Sequence, residues 1–482
     1  MTVGRERSKD EAQRPHGLHA AYAPKELARV GQHLVERLTK ELQSSWDGET
    51  RPVMTPVTPD QMMAQTPRPT AGTQSLDELF DRFLSSATRL HDPHFVGHQV
   101  SAPLPAAVWF QALGAYLNNG MAVFEMGPAA TAMERRVLEW MAGHAGFTAK
   151  AEGFFTSGGS IGNLTALLTA RQVMAGLNER GQAKVAAPAI LVSGQGHYCS
   201  ARAVHIMGWG ADGLIEVECD AKFKMRPSDL SRAKAEAERR GRQVIAVAAS
   251  ACSTSTGSYD PLEAIADFCE EHHIWLHVDG AHGASALLSP RLKPRLAGLE
   301  RADSLVWDAH KMLMMPALST AVIYRNGEHA SRALAQKASY LFDGDPDLEW
   351  FNVGHRTLEC TKTMMASALY ASLAHYGENL FKEFVEHAHD LATEFASYLE
   401  SSPDFIVACR PESNIVCFRH EPENASDLDA RQLSLRRKIV DSGEFYLVQT
   451  SLGGKPWLRC TLMNPRTKIA DLIELCDQLR RS

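Results

Sequence analysis

The chain has 482 residues and a formal net charge of −7, long enough for two domains or one large domain with a satellite, and too acidic overall for non-specific nucleic acid binding. Hydrophobic residues make up 44% and charged residues 22%, the balance of a globular enzyme, and no apolar run approaches the roughly 20 residues of a membrane span. Met1 to Arg7 lacks the apolar core of a signal peptide, and the nine cysteines contain no Cys-x-x-Cys pair, so reduced thiols in a cytoplasmic setting are expected, without disulfides or a metal site.

Residues 1–100 read as an N-terminal arm and linker, 101–360 as a large domain and 361–482 as a small one. The arm carries helical apolar spacing from Pro24 to Leu42 and turns Pro/Thr-rich around Arg51 to Pro59; packing on a partner is expected to order it. Asp92 to Gln99 follows, with His98 near its end. Glu125 reads as a capping acid ahead of a helix from Thr131 to Ala145. Phe154-Phe155 then enters a turn of small residues, Thr156 to Ser160, before a helix from Leu164 to Met174. Free N–H groups at a helix start bind phosphate, and glycine lets it approach closely, which makes Gly158, Gly159 and Ser160 candidates. Ala189 to Ser193 is a strand whose exit holds His197.

Gly208, Gly210 and Gly213 fit a dinucleotide-binding spacing, but they precede an alternating strand from Leu214 to Glu218 where a true fingerprint follows a strand and opens a helix. This segment is read as a turn. Gln243 to Ser250 is a buried strand that exits through Cys252, Ser253 and Thr254. A helix from Pro261 has Asp260 as its expected cap.

Two short apolar runs then end on polar residues: Trp275 to Asp279, and Asp303 onward to His310 and Lys311. Open α/β sheets bind ligands at the ends of parallel strands. Alone, Asp279 would be a cap and Lys311 a solvated cation. Together they suit pyridoxal 5'-phosphate, which needs a lysine for its Schiff base and an acid beside its ring nitrogen. His-Val-Asp-Gly-Ala-His around Asp279, and Asp-Ala-His-Lys ending 311 − 279 = 32 positions later, resemble the signature of the group II pyridoxal-phosphate-dependent amino acid decarboxylases. That family includes glutamate, cysteine sulfinate, aromatic amino acid and diaminobutyrate decarboxylases, and the resemblance runs with gaps from about Asp92 to the C-terminus.

The resemblance implies the α/β fold of type I, aspartate aminotransferase-like enzymes, with a mostly parallel central sheet. It also implies a homodimer with an exchanged arm and active sites at the interface, acting on a small-molecule amino acid. Lys311 would carry the cofactor, Asp279 its ring nitrogen and His197 the ring face; Ala281, His310 and the hydroxyl of Ser253 would complete the cofactor set. Cys252 stands where relatives have glycine. Asp308 stands where several have asparagine, and since an ionised aspartate cannot donate to phosphate it is not expected there. His98 would line the substrate side, and Arg459, in the strand-like stretch from Lys455, would bind a substrate carboxylate.

Beyond Lys362 long helices are expected, Met364 to Tyr376 and Phe381 to Leu399, followed by short strands. The loop from Asp343 to Val353 is shorter than in relatives and lacks the tyrosine that protonates the substrate carbon there; His197 is the expected substitute. The activity implied is decarboxylation of a glutamate-, diaminobutyrate- or cysteine sulfinate-type amino acid. The alternative is a decarboxylating aldehyde synthase or carbon–carbon lyase of the same fold. Met121 to Ala130 leans towards diaminobutyrate decarboxylases, and Ser339 to Phe342 towards the glutamate and cysteine sulfinate enzymes.

Overall fold

The computed structural model describes residues 18–49, 52–69, 74–176, 187–334, 351–425 and 427–482. Ser339 to Phe342 and most of the short loop after them lie outside these residues.

Seven strands form the central sheet: β1 (Glu152–Thr156), β2 (Pro188–Ser193), β3 (Leu214–Val217), β4 (Gln243–Ser250), β5 (Trp275–Asp279), β6 (Ser304–Asp308) and β7 (Thr320–Tyr324), in the order β1-β7-β6-β5-β4-β2-β3. Parallel pairing joins β3, β2, β4, β5 and β6. β7 runs against both β6 and β1, so six strands share one direction. The apolar runs of β4 and β6 are buried almost throughout, as strands covered on both faces must be. This is the mostly parallel α/β architecture that the sequence implies.

The helix after β1 packs directly on this sheet. Gly162 faces it, and a Cβ there would meet side chains of Thr320, Val322 and Val306 at 3.2 to 3.3 Å. A buried relay ties the same helix to β5. The indole of Trp275 donates to Ser304 Oγ at 2.9 Å, and Ser304 lies 2.8 Å from His277 Nδ1. His277 Nε2 lies 2.6 Å from Asn163 Oδ1, and the Asn163 amide donates to the Gly159 carbonyl at 2.8 Å. An amide oxygen only accepts, so His277 Nε2 donates.

Burial pushes His277 from an ordinary 6.5 down to about 4. Its folded value is depressed, so its stabilisation is complete above pH 6.5 and is lost as pH falls towards 4, roughly 3 kcal/mol in all. The melting temperature of His277→Gln is therefore expected to fall less steeply than wild type between these limits. Equal slopes in a pH series of thermal melts would contradict this.

A second sheet is antiparallel, in the order β10-β11-β9-β8: β8 (Phe405–Val407), β9 (Ile415–His420), β10 (Val448–Leu452) and β11 (Lys455–Thr461). Helices Asn379–Ser401, Leu428–Ser442 and Ile469–Arg481 accompany it. Phe395 packs edge-on against Phe418, with centroids 5.5 Å apart. The segment before His98 is stitched to this sheet: Val96 donates its N–H to Tyr446 and accepts that of Thr461. Gly97 permits the approach, since a Cβ would lie 2.4 Å from the Tyr446 ring.

Three local expectations change. The helix expected from Leu164 begins at Gly159. Asp260 does not cap the following helix, Leu262–His272, which has no side-chain cap; its carboxylate accepts the N–H groups of Ser250 and Met225, each at 2.7 Å. The first of the late helices starts at Ser367, not Met364.

Candidate active site

Ser250, Asp279 and Asp308 are the last residues of adjacent strands β4, β5 and β6. Together with the turn after β1 and Lys311 they border one cavity of about 350 Å³.

The turn leaves N–H groups free at a helix start. Gly158 has φ +105°, a conformation that favours glycine. It precedes the helix start at Gly159 and Ser160, where no side chain caps the first N–H groups. A Cβ at Gly159 would press on the Asp308 carboxylate at 3.2 to 3.3 Å. Gly158, Gly159 and Ser160 all line the cavity. Unsatisfied N–H groups and the helix dipole favour phosphate there. The strand end below is locked by residues that the sequence reading passed over: Glu134 accepts the Phe155 N–H at 3.0 Å, and buried Lys362 donates to the Phe155 carbonyl at 2.6 Å.

On the opposite wall, Asp279 Oδ1 accepts the Ala281 N–H at 3.2 Å, and the Cys199 thiol lies 3.9 Å from Oδ2. His197 Nδ1 accepts the Cys199 N–H at 3.2 Å, which places the proton of a neutral ring on Nε2. Burial holds His197 below its ordinary value despite the attraction of Asp279. Ligand atoms of His197, Cys199 and Asp279 lie within 4.8 Å of one another, but burial keeps the Cys199 thiol protonated and so a poor metal ligand.

Lys311 Nζ lies 2.9 Å from Asp308 Oδ2 in an ion pair. The Thr320 hydroxyl donates to Asp308 Oδ1 at 2.6 Å. His310 is buried at the same wall, its Nδ1 2.9 Å from the Ser319 carbonyl. His282, which the sequence reading left without a role, also lines the cavity. Its Nε2 lies 2.7 Å from Asn414 Oδ1, and burial and the neighbouring Lys311 push it down to about 3.

Ser253 does not line the cavity. It is buried with its hydroxyl 2.8 Å from that of Thr256, while Cys252 and Thr254 face the space. Arg459, on β11, does not line this cavity; it is 6% exposed, with Nε and Nη2 buried and unpartnered. It bears electrostatically on Cys252, His282 and His98. His98 is exposed and leans on the Tyr446 ring, with centroids 5.7 Å apart; partial burial and the cations Arg459 and Arg436 lower its proton affinity.

The chain is similar to known proteins. The profile of the pyridoxal-dependent decarboxylase conserved domain matches residues 59–421. The aromatic-L-amino-acid decarboxylase of Bacillus atrophaeus is 29% identical over 401 residues, covering 82% of each chain. The cysteine sulfinic acid decarboxylase of Homo sapiens is 28% identical over 403 residues, 81% of this chain and 82% of the relative. The crystal structure of mouse CSAD matches with a TM-score of 0.87 at 24% identity, over 95% of this chain and 99% of that one, which speaks to the fold. The profile spans most of the chain and supplies the cofactor that an acid and a lysine at neighbouring strand ends call for: this chain belongs to the pyridoxal-dependent decarboxylase family and is a pyridoxal-phosphate-dependent amino acid decarboxylase.

Proposed function

We propose that the substrate is an acidic L-amino acid of the glutamate, aspartate or cysteine sulfinate type, decarboxylated to its amine. The observation that carries this reading is the Arg459 guanidinium, buried with two unpartnered N–H groups. A buried, unpaired cation is costly, and a substrate carboxylate or sulfinate would satisfy it with charge-assisted hydrogen bonds. Arg436 is a second cation bearing on His98, and the two disfavour the ammonium side chain of diaminobutyrate.

In this reading pyridoxal phosphate, when bound, supplies a ring that accepts the electron pair of the breaking Cα–carboxylate bond. Lys311 holds the cofactor covalently. The first turn of the Gly159–Met174 helix holds its phosphate, with Gly158 giving room. Asp279, steadied by the Ala281 N–H, keeps a proton on the ring nitrogen. His197 covers the ring, Ala281 and His310 close the wall around it, and Arg459 with His98 orients the substrate.

A panel of amino acids assayed for carbon dioxide and amine tests the substrate class. Acidic amino acids are expected to lead it, and activity confined to aromatic or diamino substrates would contradict the reading. Arg459→Gln is expected to lower kcat/KM roughly 10- to 100-fold, mainly through KM, from the loss of one charged hydrogen-bonding group. An unchanged KM would remove Arg459 from the substrate site.

We also propose a homodimer in the cytoplasm. Helix Pro24–Trp46 buries no apolar residue, and helix Pro105–Leu117 leaves Trp109, Leu113, Tyr116 and Leu117 exposed; such apolar faces mark interaction surfaces. The free cysteines suit a reducing compartment. Among the described residues no helix is long and apolar enough to cross a membrane. Sedimentation of the full chain should give twice its 53.0 kDa; a monomer at micromolar concentration would contradict the dimer.

A further inference from the structure

We propose that Asp308 holds the Lys311 side chain as an ammonium, and that this ammonium delivers the proton to the substrate's Cα after carbon dioxide leaves. The inference rests on the reading of Lys311 as the cofactor lysine and extends it to a second task.

The geometry is specific to the pair. Asp308 ends β6 at 1% exposure, with one oxygen fixed by the Thr320 hydroxyl at 2.6 Å and the other 2.9 Å from Lys311 Nζ. His310 Nε2 approaches that second oxygen at 3.7 Å. The other groups bearing on Lys311 are Asp279, Cys252, His197, His282 and Cys199. The two carboxylates together outweigh burial and raise the lysine's hold on its proton, while the proximity of Lys311 keeps Asp308 ionised despite its burial.

The neighbours are poor donors at neutral pH. Burial keeps His197 and His282 neutral and pushes the Cys252 thiol up to about 12. His197, the donor expected from the sequence, also has its Nδ1 committed as an acceptor. Among the described residues Tyr198 is the one phenol on the wall; it is exposed, with its ring in contact with His197 and the Arg202 guanidinium.

The step balances. An N–H bond of the ammonium breaks and a C–H bond forms at Cα, using the electron pair left by the departing carbon dioxide. Lys311 ends as a neutral amine, the form that can displace the product. Asp308 touches neither substrate nor reacting carbon and acts as a positioning residue.

The test begins with cofactor-stripped protein. Only the neutral amine attacks an aldehyde, so the pH profile of pyridoxal phosphate uptake reports the Lys311 proton. Wild type is expected to show a midpoint above about pH 9, near or above a free lysine. Asp308→Asn is expected to lower that midpoint by a unit or more and to speed uptake at pH 7. When loaded, it is expected to turn over more slowly and give a larger share of carbonyl side product relative to amine. Asp308→Glu should recover both. An unchanged midpoint overturns the pairing. A lowered midpoint with unchanged rate and product ratio overturns the donor role, as does a Tyr198→Phe variant that reproduces the product shift alone. If Asp308→Asn does not fold, a wild-type midpoint below about pH 8 overturns the proposal by itself and a midpoint above about pH 9 supports it. Covalent uptake that persists in Lys311→Ala would instead defeat the assignment of the lysine.

Discussion

Lys311→Ala is expected to lose covalent cofactor capture and to lower decarboxylation by at least about 10³-fold, the scale of removing a group that handles both bond formation and proton transfer. Among the described residues Lys311 is the one lysine on the cavity wall, 19% exposed at its side chain and paired to a buried carboxylate. The variant should still take up cofactor weakly, because the helix start at Gly159 does not depend on it. Absorbance titration and single-turnover product analysis would check both halves. Near-normal turnover would place the chemistry elsewhere.

Asp279→Ala is expected to lower kcat by about 10² to 10³-fold, the usual cost of removing one preorganised electrostatic group, while weakening cofactor retention by less. The reason lies in what each part holds. In the proposed reading the turn at Gly158 to Ser160 and Lys311 would hold the cofactor's two ends. Asp279, oriented by the Ala281 N–H at 3.2 Å, would control only the proton on the ring nitrogen. Measured kcat alongside cofactor dissociation would separate the two, and a variant that lost its cofactor yet kept a high kcat when saturated would reverse the assignment.

The strand ends were legible because β4, β5 and β6 are short apolar runs closed by polar residues, a pattern that survives without knowledge of neighbours. The turn after β1 was legible in place but not in form. Gly158-Gly159-Ser160 reads as a turn because glycine disfavours helix, yet the Gly159–Met174 helix includes two of these residues. Tertiary anchors explain it: the Asn163 amide on the Gly159 carbonyl and the Asp308 carboxylate, which crowds any Cβ at that position.

Asp260 misled because an aspartate before proline is an ordinary helix start, whereas here its oxygens serve two backbone N–H groups on other segments. Ser253 sits away from the cavity because neighbouring hydroxyls of its own turn satisfy it. The Lys311–Asp308 pair was invisible since the expected contrast was with phosphate, not with the lysine three residues on. The His277–Asn163 contact spans 114 positions, and no local pattern announces it.

The most direct test of the site is chemical. Borohydride reduction of the cofactor-loaded protein, followed by peptide mapping, should leave a pyridoxyl group on Lys311 alone. A pyridoxyl group on any other lysine would contradict the assignment on which the active site is built.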